Sequence, residues 1–487
     1  MTEHSATALP GHAPAPPTRL EPDAIGAAQD TVIGMANSAP TVSTGLTLAA
    51  LTLAAAYAVG PVIILTAIPM IIIANAYRKL NLWNANCGAS FEWVGRAINP
   101  YLGFMTGWLM IAGSLVGAVS GVVILAPSVL AIFNDSSTST WPNILIATAV
   151  ILAMLVIAIV GIKITARVQV SMAIVEYTIL LGFAIAGFVF VLGHHAGTFP
   201  ITKDWFKPSG IHGAGSLAAG FLIAVFMYTG WDATVYVNEE VKHRRRNPGR
   251  AAVIAVALLA IIYTVSEMGL AGVVSPAKLQ ANAASALVYV AQTMGGGSWA
   301  KVMALSLALS VIASTGTAIV IIARMVYGMA SYRVLPPVLS NVNRRFSTPV
   351  VASVVIGVIL IAATWVYLLS GSIANVFSNV IDVTGLLYAA FYVLTGFAAI
   401  VYYRRRVFSN VWDALMIGIL PLASCGFLIW IIWKSLSAAP ASQVWSVVGI
   451  VAAGVLLMLI ARFGYRSSFF QIPLESDSGA DVAADNM

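Results

Sequence analysis

The chain has 487 residues, of which 60% are hydrophobic and 9% are charged, and its formal net charge is +7. So little charge excludes an ordinary soluble domain, and lipid is expected to surround most of the fold. Nucleic-acid binding is not indicated, because the basic residues fall between apolar runs and form no basic face. Cys87 and Cys425 lack metal-ligand spacing, so neither a metal site nor a disulfide framework is expected.

Apolar runs of about 20 residues, the length needed to cross a bilayer, recur along the chain. We predict an all-α polytopic membrane protein with twelve transmembrane helices, listed here by residue range: 31–56, 59–77, 100–131, 143–162, 168–192, 216–238, 251–274, 300–327, 349–369, 375–402, 411–433 and 444–462.

The runs also define the expected organisation of the chain. Residues 1–30 are rich in Pro, Ala and polar groups without an apolar signal-peptide core, which predicts a disordered cytoplasmic tail. Helices 1–5 would occupy 31–192, helices 6–10 would occupy 193–402, and helices 11–12 would occupy 403–466. Residues 467–487 would form a cytoplasmic C-terminal tail.

The basic residues predict the orientation. With twelve helices and the N-terminus inside, twenty of the 25 Lys and Arg residues fall on the cytoplasmic side, including every arginine. This asymmetry follows the positive-inside rule for a cell-membrane protein. The cluster 242–250 is most simply an orientation signal, and Glu239 and Glu240 could pair with nearby arginines as an inner gate.

Two of the predicted helices are interrupted. Pro40 follows Asn37, Ser38 and Ala39 in helix 1, where proline removes a helical hydrogen bond. An ordinary proline kink explains this stretch equally well when it is taken alone.

The second interruption is at 228–231 in helix 6, which leads into Asp232. Each break lies in the first helix of a five-helix half, and paired breaks of this kind point to a transporter site. Half-helix N-termini attract carboxylates and free carbonyls attract ammonium groups, a pattern that suits a zwitterionic amino acid.

Several stretches, in this order, resemble the amino acid–polyamine–organocation (APC) permeases. They are 87–93, 99–108, 230–232 with 239–248, 323–336 with 347–349, and 392–396. The resemblance implies a five-plus-five inverted-repeat core of the leucine-transporter type with two extra helices and broken helices 1 and 6. It also implies uptake or exchange of amino acids or amines.

The resemblance further suggests substrate contacts by position. Asn37, Ser38 and Ala39 fall where the family holds the substrate carboxylate, although Pro40 has no N–H to donate. Phe226 falls where an aromatic gate closes, and Tyr228 and Thr229 fall where carbonyls meet the ammonium. Trp231 adds to this aromatic neighbourhood, facing either the pocket or a neighbouring helix.

Four carboxylates lie within apolar runs, where burying a charge is costly. Glu176 is expected to carry a coupling proton or form a cation site, and Asp232 is a second ion-coupling candidate. For these two residues a structural carboxyl that is hydrogen-bonded to neighbouring helices is an equally good explanation. Hydrogen bonding to neighbouring helices is the favoured explanation for Glu267 and Asp382. A group of hydroxyl residues in helix 8 would suit sodium or simple helix packing: Ser310, Ser314, Thr315 and Thr317.

Taken together, these features favour a secondary transporter of an amino acid, driven by a proton gradient or by sodium and using no cofactor. The alternatives are an amine or polyamine transporter, an exchanger, and a membrane-embedded enzyme or sensor. No P-loop and no His-Glu-x-x-His motif supports an enzyme. The expected partners are a small-molecule substrate and the lipid bilayer, and the oligomeric state is left open.

Overall fold

The computed structural model describes residues 19–55, 58–133, 140–193, 195, 197–206, 213–370 and 373–477. Within these ranges the regular structure is helical, and the one isolated β-bridge joins Ile25 to Val241. The prediction of an all-α fold is confirmed.

The first part of the chain forms seven helices before a long connection. They are α1 Ala27–Asn37, α2 Pro40–Ala55, α3 Val59–Trp83, α4 Ala89–Ala97, α5 Pro100–Ile132, α6 Thr140–Val160 and α7 Ile162–Leu192. Asn99 caps α5 by accepting the N–H of Tyr101 at 2.8 Å, and Pro100 takes the first helical position, where no N–H is needed. Gly161, at φ +134°, allows α6 and α7 to follow each other directly.

The second part contains ten helices, several of them short. They are α8 Gly213–Met227, α9 Ala233–Tyr236, α10 Asn247–Ala271, α11 Pro276–Ala281, α12 Ala286–Ser331, α13 Val350–Leu369, α14 Ile373–Tyr402, α15 Val411–Asp413, α16 Leu420–Ala438 and α17 Ala441–Leu459. A π-helical stretch joins α15 to α16. The long α12 is interrupted by non-helical backbone at Gly295 and Gly296.

Among the described residues, eleven helices are long and apolar enough to cross a membrane. The remaining predicted span, 216–238, is divided because α8 ends at Met227 and α9 has only four residues. The multi-pass membrane architecture is therefore established, and the count of twelve spans stays a prediction.

The structure describes the last part of the segment 1–30, for which a tail was predicted. Helix α1 begins at Ala27, and both Ile25 and Asp30 are buried. The N–H groups of Ala24 and Ile25 donate to the carbonyl of Glu240, and Lys242 donates back to Ile25 at 2.9 Å. Residues 1–18, for which disorder was predicted, lie outside the described part of the chain.

The C-terminal segment packs on the same face of the molecule as the N-terminal segment. Phe469 is buried and stacks on Phe91, with ring centroids 4.2 Å apart. The N–H of Glu475 donates to Arg96, and Asp477 pairs with Arg406. We call this side, which carries residues 19–26, 238–246, 402–407 and 467–477, the arginine-rich face.

The helices that enclose the centre of the molecule are α1, α2, α5, α8, α12 and α14. Helix α12 packs against α5, α7 and α2, while α14 packs against α5 and α8. This arrangement places the two interrupted segments, 37–40 and 227–233, in the middle of the bundle. Residues on these six helices therefore form the candidate site.

Candidate functional site

The first break lies between α1 and α2. Helix α1 ends at Asn37, Ala39 adopts a left-handed conformation with φ +47°, and α2 begins at Pro40. A non-glycine residue at positive φ is strained and is retained only where the surroundings fix it. Here the carbonyl of Ser38 accepts hydrogen bonds from the hydroxyls of Ser43 at 2.7 Å and Tyr263 at 3.1 Å.

The second break lies between α8 and α9 and touches the first. Gly230 has φ +101°, and a Cβ atom there would lie 2.8 Å from the backbone carbon of Asn37. Glycine is required at this position both by its conformation and by the close approach. The side-chain amide of Asn37 donates to the carbonyl of Gly230 at 3.2 Å, which holds the two breaks together.

A central cavity of about 50 Å³ lies beside the two breaks. At roughly 10–15 Å³ per water on this measure, it has room for a few water molecules. The break residues that line it are Asn37, Ser38, Ala39, Phe226 and Thr229. The structure therefore brings together five of the seven predicted substrate-binding residues.

The cavity wall combines apolar side chains with hydroxyl groups. Hydroxyl groups on α2, α5, α12 and α14 line it, and no acidic or basic side chain is among the lining residues in the described part of the chain. The hydroxyls of Ser114 and Tyr388 are 2.9 Å apart across α5 and α14. Sequence reasoning missed both, because a hydroxyl residue in an apolar run equally indicates helix packing.

The side chains of two predicted contact residues do not line the cavity. The contact predicted for Tyr228 is through its backbone carbonyl and stays a prediction. The rings of Tyr228 and Trp231 are fully buried and are not part of the cavity wall. The Tyr228 hydroxyl donates to the carbonyl of Ile63 at 3.3 Å, and Trp231 stacks on Tyr392 with centroids 5.2 Å apart. Both aromatic rings pack against neighbouring helices because they point away from the break toward α3 and α14.

Asp232 also lies behind the cavity rather than in its wall. Its carboxylate accepts a hydrogen bond from the Tyr392 hydroxyl at 2.8 Å. Tyr392 is on α14, so this bond ties the second break to a neighbouring helix. The ion-coupling role expected of Asp232 stays a prediction.

Glu176 reaches the other break from α7. Its Oε1 atom accepts the N–H of Thr41 at 3.1 Å, in the first turn of α2. The next N–H, that of Val42, donates to the Ser310 hydroxyl at 3.3 Å. Because Pro40 has no N–H, the donors expected to hold a substrate carboxylate at this helix end are already occupied by protein groups.

The other hydroxyl residues of α12 differ in their surroundings. Thr317 donates to the carbonyl of its own helix at Ala313, while Ser314 lines the cavity. The described residues contain no cluster of His, Cys, Asp or Glu that could hold a metal ion. His195 stacks on Phe190, and His194 and His212 lie outside the described residues.

A vestibule of about 540 Å³ opens on the face opposite the arginine-rich face. Its wall includes Thr47, Asp382 and Lys434, and Leu46 lines both the vestibule and the central cavity. A thin layer containing Leu46 therefore separates the two spaces.

A buried ion pair lies at the arginine-rich face. Arg324 and Glu240 are both essentially inaccessible, and the guanidinium binds the carboxylate through Nε and through Nη2, the latter at 2.8 Å. Glu239 instead accepts the backbone N–H of Cys87 at 3.0 Å. The pairing expected for Glu240 is present, and its partner comes from α12.

Comparison with known proteins identifies the family. The family model described as "Amino acid permease" matches residues 29–464. The chain belongs to the amino acid permease family. As an APC-type permease it is similar to the Asc-type amino acid transporter 1 of Mus musculus, with 25% identity over 295 residues that cover 57% of this chain and 52% of that protein.

Other relatives extend this result. The b(0,+)-type amino acid transporter 1 of Mus musculus is 22% identical over 339 residues, covering 66% of this chain and 65% of that protein. The matched region of this permease therefore spans about half to two thirds of these two relatives. The crystal structure of MhsT in complex with L-phenylalanine shares the fold, with a TM-score of 0.58, 16% identity, and coverage of 85% of this chain and 99% of that chain.

Proposed function

We propose that this permease takes up a small neutral amino acid across the cell membrane by alternating access, driven by a proton gradient. The observation that carries the proposal is the hydrogen bond from the Thr41 N–H to Glu176. This bond attaches a buried acid directly to α2, the half-helix whose first turns line the central cavity.

The character of the cavity supports a neutral substrate. A polyamine or cationic amine would need a carboxylate in contact with it, and no carboxylate is among the lining residues. A zwitterion can be held by the Asn37 amide and by the hydroxyls of Ser38, Ser114 and Tyr388. The small volume and the ring of Phe226 favour a short side chain.

Glu176 would couple substrate movement to a proton. As a carboxylate it is favoured by the N-terminus of α2, where helix dipoles place partial positive charge. Protonation would remove this attraction and weaken the bond to Thr41. Helix α2 would then be free to rotate away from α7, which is the motion that alternating access needs.

The arginine-rich face and the vestibule face would lie on opposite sides of the membrane. The arginine-rich face is assigned to the cytoplasm by the positive-inside rule, which places the open vestibule outside. In this state the substrate would reach the cavity after the layer at Leu46 moves. Breaking the pair of Arg324 and Glu240 would open the cytoplasmic side in the next step.

The direct test is uptake by proteoliposomes across a panel of labelled amino acids and amines. Each substrate is measured with an imposed pH gradient, with a sodium gradient, and with neither. We expect uptake of small neutral amino acids that follows the pH gradient. Uptake that ignores pH and requires sodium would reject the proton, and transport of amines alone would reject the substrate class.

The variant Glu176→Gln separates proton binding by Glu176 from its hydrogen bond to Thr41. Glu176→Gln keeps an oxygen that can accept the Thr41 N–H and removes the titratable proton. We expect substrate exchange to persist while uptake becomes independent of pH. A pH dependence equal to that of the wild type would reject Glu176 as the proton carrier.

A further inference from the structure

Glu267 is a second buried carboxylate that is bonded to α2. It lies on α10, is fully buried, and has its Oε1 atom 2.9 Å from the hydroxyl oxygen of Thr47. Its Oε2 atom is buried without a hydrogen-bond partner among the described residues. Thr47 is on α2, six positions beyond Thr41, so both buried acids contact the same half-helix.

The hydrogen bonds around Thr47 determine which group donates. The Thr47 oxygen is also 2.6 Å from the carbonyl oxygen of Ser43. A carbonyl oxygen only accepts, and a hydroxyl carries a single hydrogen, so that hydrogen lies on the short contact to Ser43. The protonated form of Glu267 would supply the hydrogen for the contact to Thr47, so that protonation satisfies both contacts of the Thr47 hydroxyl at once.

Glu176 has the opposite arrangement. It accepts the N–H of Thr41, and the Ser310 hydroxyl is close to its carboxylate. Ser310 accepts the N–H of Val42, so its own hydrogen is available for Glu176. These two donors suit Glu176 as a carboxylate. The surroundings of the two acids therefore favour different protonation states.

The second acid lies one side chain away from the vestibule. Thr47 is part of the vestibule wall, and Glu267 lies directly behind its hydroxyl. Tyr263 on α10 interacts electrostatically with Glu267, with Glu176 on α7 and with Tyr228, which follows the end of α8. Tyr177 on α7 interacts in turn with Tyr263 and Glu176. Asp382 and Lys434 face the vestibule.

We propose that Glu267 is a second proton-binding site, loaded from the vestibule past Thr47. A proton from a hydronium ion adds to the Glu267 carboxylate to give the acid and a water molecule, and release reverses the step. The acid form donates to Thr47 and fixes α2 in the position seen here. This inference rests on the proposed proton-coupled transport and assigns the vestibule side of that coupling to Glu267.

The test is the pH dependence of substrate affinity in the purified full-length protein, with Glu267→Gln as the variant. The amide of glutamine can donate to Thr47 as the protonated acid does, so the fold and binding should be retained. One linked proton changes the affinity of the wild type by about tenfold per pH unit over the titration range. We expect Glu267→Gln to lose at least half of this dependence on a logarithmic scale.

Three further variants make the result specific. Thr47→Val removes the partner hydroxyl and should move the midpoint of the pH profile, while Thr47→Ser should restore it. Glu475→Gln, a matched change on the arginine-rich face, should leave the profile unchanged. A merely structural Glu267 would lower thermal stability in its variants without changing the profile, which would overturn the inference.

Rejection of the role of Glu267 can be distinguished from failure of the proposed function. If the wild type takes up no panel substrate with protons, the proposed proton-coupled transport fails and this inference fails with it. If the wild type is proton-coupled and Glu267→Gln keeps the full pH dependence while Glu176→Gln loses it, Glu176 is the sole carrier and only this inference is rejected.

Discussion

The side-chain amide of Asn37 donates to the carbonyl oxygen of Gly230 at 3.2 Å, so a single hydrogen bond joins the two helix breaks. Asn37 is also part of the cavity wall. A movement of one break would therefore act on the other through this side chain. The geometry makes Asn37 the residue whose replacement should affect binding most directly.

Asn37→Ala should weaken substrate binding by about 5- to 10-fold, because a typical hydrogen bond contributes about 1 kcal/mol. The loss includes the bond to Gly230 and any contact with the substrate. Titration of the purified protein with the best panel substrate measures the effect. An affinity within twofold of the wild type would mean that Asn37 neither joins the breaks in solution nor contacts the substrate.

Gly230→Ala should prevent the breaks from approaching each other. The new Cβ would lie 2.8 Å from the Asn37 backbone, and alanine is strained at φ +101°. We expect a clear loss of thermal stability and of uptake. Gly426→Ala is the matched control, because a Cβ at Gly426 on α16 meets nothing within 4 Å. Equal melting temperatures for the two variants would contradict the observed packing.

These two residues also illustrate what sequence can predict. Proline and glycine change the backbone locally, so Pro40 and Gly230 indicate interruptions of the helices without knowledge of the fold. The direction of a ring depends on neighbouring helices, which is why the sequence left two directions open for Trp231, whose ring stacks on Tyr392 in the structure. Tyr388, whose hydroxyl lines the cavity, lies on a helix more than 140 positions after Gly230. Nothing in the sequence around Tyr388 indicates that it belongs to the same site.

The positions of two tyrosine hydroxyls give a paired test. Tyr388→Phe removes a hydroxyl that lines the cavity and bonds to Ser114, so it should weaken substrate binding severalfold. Tyr228→Phe removes a hydroxyl that bonds only to the backbone of Ile63, behind the cavity. It should lower stability by about 1 kcal/mol and leave affinity unchanged. The reverse ranking of affinities would return Tyr228 to the substrate site.

The C-terminal segment should contribute stability rather than selectivity. Phe469 is buried against Phe91, and a Cβ added at Gly95 would lie 2.6 Å from its ring. Phe469→Ala should cost about 3–5 kcal/mol, the usual range for a buried phenylalanine. Thermal unfolding in detergent measures this loss. The substrate preference should not change, and an altered preference would instead connect the segment to the cavity.

The buried pair of Arg324 and Glu240 should hold the arginine-rich face closed. Removing one partner leaves an uncompensated buried charge, which typically costs about 3–5 kcal/mol. Glu240→Gln should therefore shift the conformational equilibrium toward opening on this side, unless the penalty appears as unfolding. Thermal unfolding separates the two outcomes, because an open but folded protein keeps a cooperative transition.

Cys87 provides the readout for this shift. It is buried, its N–H donates to Glu239, and the other cysteine, Cys425, is also buried. The experiment uses Cys425→Ser as the parent protein, so that Cys87 is the cysteine that reacts. A polar thiol reagent should modify Cys87 slowly in this parent and at least about tenfold faster when Glu240→Gln is added. Each 1.4 kcal/mol in the opening equilibrium changes the rate of labelling by a factor of ten. Glu21→Gln removes a partly exposed ion pair with Lys163 on the same face and serves as the control. Equal labelling rates in all three proteins would show that the buried pair supports packing and does not control access.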